Sequence, residues 1–264
     1  MILKLFNYIY WIAPLVVGGI ATGLYFLLRN KKDYVFNIVI GVIMGLNIFQ
    51  HLCKSFVWEG ASFTLSLNNT AYNVCALLIL LSPVLYFVKW KPLNQYICLL
   101  GSIAGMGAIL IPYWYFNKDI LTLDYLRFVV CHGFLFLSSF LPLLCKKVKV
   151  EFKNFHLIGA FFLTGLCIIA LNVCLIGIAN GQNGLDAIKA SNAFMMAGPR
   201  DSELIIKVCT AITPKFMRWI PIVWYALPLY IGITIISFVA LFGFSEHCLL
   251  AMRCMIQKPL NILS

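Results

Sequence analysis

Seven apolar stretches divide this chain of 264 residues, and each is long enough to cross a lipid bilayer. Crossing the hydrocarbon core as an α-helix takes roughly 20 apolar residues. The stretches lie near residues 8–28, 35–57, 72–88, 96–116, 126–145, 156–178 and 219–243. Only 11% of the residues are charged, which excludes a soluble globular domain, where about 25% is typical. The sequence therefore predicts an all-α membrane protein with seven transmembrane helices.

Basic residues are concentrated in alternate loops, and this pattern predicts the orientation. The loops after the first, third and fifth helices carry nine of them: Arg29, Lys31, Lys32, Lys89, Lys91, Lys146, Lys147, Lys149 and Lys153. The loops after the second and fourth helices, with their flanks, carry only Lys54, Lys118 and Arg127. Because basic loops stay in the cytoplasm, the N-terminus is predicted outside and the C-terminus inside. The net charge of +11 is then a topology signal, and no nucleic-acid partner is expected.

One transmembrane domain, residues 1–243, accounts for most of the chain, and an amphipathic cytoplasmic tail, 244–264, follows it. The outer loop 179–217 is long and contains a predicted interfacial helix at 202–212. The ten cysteines lie mostly within the spans, so we interpret them as reduced thiols or apolar fillers.

Two GxxxG motifs, Gly41–Gly45 and Gly101–Gly105, permit close approach between helices. They can serve packing within the chain or form the face of a homodimer.

A polar stripe runs along the second helix. Asn47, Gln50, His51, Lys54 and Trp58 are spaced i, i+3, i+4, i+7 and i+11, which is one helical face. A polar group in hydrocarbon costs several kilocalories per mole unless it is partnered or faces a wet cavity. The stripe is therefore predicted to form the wall of a site.

Polar residues of the other helices are predicted at the same depth, in the outer half of the bilayer. They are Asn73 and Cys75 on the third helix, Tyr113 and Tyr115 after the fourth, Arg127, Cys131 and His132 on the fifth, Asn172 on the sixth, and Asn192 in the outer loop. Together with His51 they predict a cavity for a lipid or lipid-like acyl donor. Lys54 or Arg127 would bind its phosphate or carboxylate, and Gln50, Asn73 or Asn192 would donate hydrogen bonds.

Cys75 and His132 are the candidate catalytic pair. A thiol becomes nucleophilic when deprotonated, and an imidazole within hydrogen-bond reach can take its proton. The alternative for Cys75 is simple packing. There is no Walker loop, HExxH, nucleophile elbow or CxxC pair, so neither a metal nor a cofactor is expected.

Several ordered segments resemble the YwaF-like bacterial integral membrane proteins, which are distantly similar to a eukaryotic multi-pass acyltransferase of ether phospholipids. The segments are 50–58, 70–83, 101–112, 127–133, 192–199 and 220–225. In the eukaryotic relative a cysteine and a histidine are implicated in acyl transfer. His132 matches the histidine of the family's fifth helix, whereas the cysteine corresponds either to Cys75 or to a position nearer Tyr72. This chain departs from the family pattern Leu-Pro-Leu-His-Leu-Cys, because Ala71 replaces the proline and Asn73 replaces the histidine. A non-enzymatic protein that binds or transports lipids or small molecules is the alternative function.

The predicted orientation can be tested by labelling single-cysteine variants in intact cells. Because the loop after the fifth helix is predicted in the cytoplasm, an impermeant thiol reagent should leave Lys147→Cys unlabelled until the cells are opened. Lys118→Cys should be labelled from outside. Labelling of position 147 in intact cells would reverse the orientation.

Overall fold

The computed structural model describes residues 2–3, 7–54, 70–112, 115, 119–151 and 154–191, together with positions 211 and 215. Several sequence predictions lie outside the described residues. They are the seventh span 219–243, the interfacial helix 202–212, the tail 244–264, Trp58, and the binding residue Asn192.

The described part of the chain is helical, which confirms the all-α prediction. Its seven helices are α1 (Tyr8–Leu28), α2 (Asp33–Leu52), α3 (Val74–Phe87), α4 (Lys91–Leu110), α5 (Leu123–Leu144), α6 (Phe155–Ala179) and α7 (Gly184–Ser191). Five of them, α1, α2, α4, α5 and α6, are long and apolar enough to cross a membrane, and α3 is a shorter apolar helix. This is the composition of a multi-pass membrane protein.

Local chemistry explains where α3 and α4 depart from their predicted bounds. The Asn73 side chain accepts a hydrogen bond from the Ala76 amide at 2.8 Å and so caps the start of α3. Helix α3 therefore begins at Val74, two residues after the predicted start. Helix α4 starts at Lys91 because Pro92 is tolerated in a first turn, and it ends at Leu110 because Pro112 disfavours helical backbone just before it. The prediction of 96–116 was therefore wrong at both ends.

The three basic loops meet at one end of the helix bundle, here called the basic end. The Lys147 ammonium group, between α5 and α6, forms an ion pair with Asp33 at the start of α2. The buried Gln95 amide, at the start of α4, donates to the Glu151 carbonyl at 3.1 Å. Lys147 also lies over the Phe36 ring. The loops that follow α1, α3 and α5 therefore lie together at this end.

At the opposite end, here called the polar end, α1 and α6 contact the ends of other elements. The Tyr10 hydroxyl donates to the Leu110 carbonyl, which joins the start of α1 to the end of α4. The Asn172 amide donates to the Thr70 hydroxyl at 2.9 Å, which joins α6 to the segment before α3.

Two lysines at the basic end adopt left-handed backbone conformations. Lys89 (φ 59°) and Lys146 (φ 58°) each follow the C-cap residue of a helix, α3 and α5 respectively. Glycine is the usual residue at this position because it has no Cβ. A lysine there instead brings a positive charge to the negative end of the helix dipole.

Helices α4 and α5 pack backbone against backbone. A Cβ atom added at Gly105 would lie 2.6 Å from the Phe136 amide nitrogen and 2.7 Å from the His132 carbonyl oxygen. A Cβ atom at Gly101 would lie 2.8 Å from that of Ser139. The second GxxxG motif is thus covered by α5 of the same chain, whereas Gly45 of the first motif has open space around it.

This close approach predicts different effects for two alanine substitutions on α4. Gly105→Ala should destabilise the protein by about 1–3 kcal/mol, because the backbone of α5 has to move away. Gly107→Ala, where nothing lies within 4 Å, is the matched control and should be neutral or stabilising. Thermal unfolding in detergent would measure both. Equal melting temperatures for the two variants would contradict this account of the packing.

Candidate functional site

The polar stripe of α2 faces the interior of the bundle. Asn47, His51 and Lys54 are 2%, 7% and 8% exposed, and Gln50 is half-buried. On the other side of the same turns, Leu46 and Phe49 are exposed. The polar face is therefore turned toward the neighbouring helices, and the apolar face outward.

Two cations and the start of α3 surround His51. Its imidazole forms a hydrogen bond with the backbone of Thr70, just before α3. Lys54 and Arg127 both lie close enough for their charges to act on the ring. His132 is also an electrostatic neighbour of His51. One histidine from α2 and one from α5 are thus brought together, as the sequence predicts for one site.

The two thiols of the site, one on α3 and one on α5, lie within electrostatic reach of each other. Cys131 lies against the Gln50 carboxamide and is an electrostatic neighbour of Cys75. Tyr72, which precedes α3, lies beside both thiols and beside Arg127. We define the polar cluster as Asn47, Gln50, His51, Lys54, Tyr72, Cys75, Arg127, Cys131 and His132. Of the eight predicted site residues, it contains all except Asn73 and Asn192.

Asp124 is a neighbour of the cluster that the sequence analysis missed. Its carboxylate forms an ion pair with Arg127 and accepts a hydrogen bond from the Tyr115 hydroxyl at 2.6 Å. The i, i+3 spacing of Asp124 and Arg127 in the first turn of α5 is the sequence pattern that predicts this ion pair. Because Asp124 partly balances the charge of Arg127, a bound anion would have to compete for this guanidinium.

Cys75 and His132 each make their hydrogen bond elsewhere in the described residues. The Cys75 thiol points to the Ala104 carbonyl, with the sulfur 3.9 Å from the oxygen. His132 Nδ1 lies 2.8 Å from the Phe128 carbonyl oxygen of its own helix. Direct proton transfer needs heavy atoms about 2.6–3.2 Å apart, so at least one side chain would have to rotate. Their catalytic roles stay predictions.

Asn73 has a structural role in this arrangement. Its side-chain oxygen is the N-cap of α3, which leaves the amide nitrogen as the group that could donate to a ligand. Its predicted binding role is not tested by this geometry.

Three buried polar atoms on α2 have no hydrogen-bond partner among the described residues. They are Asn47 Oδ1, Gln50 Nε2 and His51 Nε2, which lie at i, i+3 and i+4 on one face. Leaving a buried polar group unpaired costs about 1–3 kcal/mol each. Only two other such atoms occur in the described part of the chain, Asn94 Oδ1 and Ser139 Oγ, and both lie outside the cluster. Buried polar atoms without a partner are thus concentrated on this face of α2 within the described part of the chain.

An apolar cavity of about 100 Å³ lies between α3, α4 and α6. Leu77, Leu81, Tyr96, Ile97, Phe161 and Ile168 are among its lining residues. It begins within one helical turn of Cys75 along α3. Within the described residues, no group of three or more His, Cys, Asp or Glu side chains is arranged to hold a metal ion.

Comparisons with known proteins identify no family for this chain. No protein-family model matches it, and neither a curated protein nor a solved structure is detectably similar to it. The resemblance to the YwaF-like proteins therefore stays a prediction.

The contact between Tyr115 and Asp124 predicts a pH-dependent contribution to stability. Burial, followed by the Asp124 carboxylate, raises the pKa of the Tyr115 hydroxyl above its usual value of about 10. A raised pKa stabilises the fold fully below about pH 10, and this stabilisation is lost as the pH rises through the folded-state pKa. Tyr115→Phe should therefore cost about 1 kcal/mol at pH 8 and less in more alkaline solution.

Chemical unfolding at two pH values would measure this effect. Tyr8→Phe is a control, because Tyr8 is 74% exposed and its removal should change stability at neither pH. If Tyr115→Phe unfolds like the wild type at pH 8, the contact with Asp124 does not contribute to stability.

Proposed function

We propose that this protein is a multi-pass membrane protein that binds a lipid or lipid-like amphiphile, with the headgroup in the polar cluster. Three polar atoms on α2 that lack a hydrogen-bond partner in the described part of the chain carry this proposal, because they lie on a buried face of Asn47, Gln50 and His51. Burying such atoms without a partner costs free energy, and a bound molecule that completes their hydrogen bonds would recover it.

The charges of the cluster favour an anionic headgroup. The charges of Lys54 and Arg127 both act on His51, whereas Asp124 pairs with Arg127. Phosphate and carboxylate groups form strong, charge-assisted hydrogen bonds with ammonium and guanidinium groups. Lys54 is 8% exposed, and a buried cation beside unpartnered polar atoms is well suited to bind one of these anions.

The surroundings of the cluster suit an apolar tail. The cavity between α3, α4 and α6 starts near Cys75 and is lined almost entirely by apolar side chains. A tail in this cavity would be shielded from water, as in many ligand sites between helices of a bundle. Headgroup and tail would then lie on either side of the first turn of α3.

For the orientation, we propose that the N-terminus lies outside and the polar end faces the outer half of the cell membrane. The support is that Lys147, Asp33 and Gln95 bring the three lysine-rich loops to a common end of the bundle. Loops rich in lysine and arginine remain in the cytoplasm. The cluster near Lys54 would then be reached from the outer side.

Acyl transfer is a second candidate, favoured by the presence of two thiols and two histidines in one cluster. In this reaction the Cys75 sulfur would attack an acyl ester carbonyl while His132 Nε2 takes the thiol proton. The alcohol would leave with that proton, and an acceptor hydroxyl would later take the acyl group from the thioester. The Gln50 amide could donate a hydrogen bond to the oxyanion.

Titration of purified protein with a short-chain phosphatidylglycerol would test both candidates by native mass spectrometry. Lys54→Gln should weaken binding at least about tenfold, because one charge-assisted hydrogen bond is lost. Lys91→Gln, an exposed lysine at the basic end, is the matched control and should bind like the wild type.

The same spectra distinguish a binding protein from an enzyme. A lipid that binds reversibly and adds no covalent mass supports the binding function. A covalent adduct with the mass of one acyl chain of the added lipid, which disappears in Cys75→Ser, would favour acyl transfer instead. Lipid binding that is equally strong in Lys54→Gln, or absent from the wild type, would contradict the proposed site.

A further inference from the structure

We infer that the polar cluster recognises a hydroxyl-bearing headgroup, such as a glycerol or sugar unit, through Asn47, Gln50 and His51. This inference rests on the proposed function and specifies the chemical class of its ligand.

The hydrogen bond of His51 determines which ring atom faces a ligand. The nitrogen that lies against the Thr70 backbone carbonyl has to carry the proton, since a carbonyl oxygen only accepts. The unpartnered nitrogen, Nε2, then carries a lone pair in the neutral imidazole. His51, which is 7% exposed, therefore presents a buried acceptor.

His132 is held in the same tautomer by the same kind of contact. Its Nδ1 lies 2.8 Å from the Phe128 carbonyl oxygen, so Nδ1 donates and Nε2 accepts. Because His51 and His132 lie within electrostatic reach of each other, the cluster holds two imidazole acceptors, of which His51 Nε2 lacks a partner in the described part of the chain.

The other two unpartnered atoms on α2 complete a mixed pattern. Asn47 Oδ1 is an acceptor, whereas Gln50 Nε2 is a donor whose carboxamide also lies against the weak acceptor Cys131 Sγ. Along one face, the ligand therefore meets an acceptor, a donor and an acceptor, in the order Asn47, Gln50 and His51. A hydroxyl group satisfies this pattern, because it donates one hydrogen bond and accepts others.

A phosphate diester alone does not match the α2 face. A phosphate diester only accepts hydrogen bonds. It could accept one from Gln50, but its oxygens would be repelled by the lone pairs of Asn47 and His51. The ammonium group of Lys54 is the suitable partner for a phosphate, next to the face rather than on it. The best match is an amphiphile whose phosphate lies by Lys54 and whose hydroxyls lie against α2.

Two lipids that differ only in their hydroxyl groups provide the test. Purified full-length protein is titrated with short-chain phosphatidylglycerol and with the analogue in which both glycerol hydroxyls are methylated. The wild type should bind the first about tenfold more tightly, since the methyl ethers cannot donate. Equal affinity for the two lipids would overturn the inference and leave the proposed function standing.

Variants of α2 test whether residues on this helix cause the preference for the lipid with free hydroxyl groups. His51→Phe keeps a ring but removes the acceptor, and Asn47→Leu removes the second acceptor in a separate protein. Each should reduce the tenfold preference to about twofold or less. The matched control is Asn94→Leu, which removes an unpartnered buried oxygen outside the cluster and should keep the full preference. A preference retained in both α2 variants would overturn the inference.

Failure of the proposed function gives a different result. If neither lipid binds the wild type, the proposed function and the inference both fall. Free glycerol 3-phosphate is included as a competitor, because it carries the same headgroup chemistry without a tail. If it competes as strongly as the lipid, the hydroxyl specificity holds but the ligand is water-soluble, which contradicts the lipid-binding function.

Discussion

The contact between the backbones of α4 and α5 determines where the rest of the site lies. Gly105 has no side chain, so α4 can approach the His132 carbonyl and the Phe136 amide directly. Attraction between membrane helices comes from such close packing, because lipid tails are as apolar as the side chains. This contact fixes the height and rotation of α5 relative to α4. With α5 held there, Cys131 lies within electrostatic reach of Cys75, and His132 within electrostatic reach of His51.

Periodicity and composition predicted the helices and the buried face of α2 but not the partners of individual side chains. The ends of α1 and α6 agree with their predictions within one residue, because polar residues flank long apolar stretches. The stripe of α2 faces inward because a period of 3.6 residues places it on one side. The ends of α4 depended on two prolines, and the start of α3 depended on the Asn73 cap. Such effects act on single residues and do not change the apolar pattern.

The contacts of Cys75 and His132 could not be obtained from spacing. Both residues lie in the cluster, yet one side chain turns to Ala104 and the other to Phe128. The rotation of a helix about its own axis depends on its packing against neighbouring helices. The rotamer of each side chain then depends on which backbone carbonyl lies nearest to it. The ion pair between Asp124 and Arg127 was readable in the sequence as an i, i+3 pair. Asp124 lies at the boundary of its span, outside the apolar stretch on which the site prediction was based.

The left-handed lysines at the basic end are subject to two requirements that are usually separate, one on backbone conformation and one on charge. A glycine at position 89 or 146 would suit the backbone better by about 1 kcal/mol. It would also remove one of the charges by which the translocation machinery distinguishes the two sides of a membrane protein. In the proposed orientation, the two residues therefore combine a conformational cost in the folded chain with charges that favour a cytoplasmic position of their loops. A glycine that relieved the backbone strain in these turns would then also weaken the preference for that orientation.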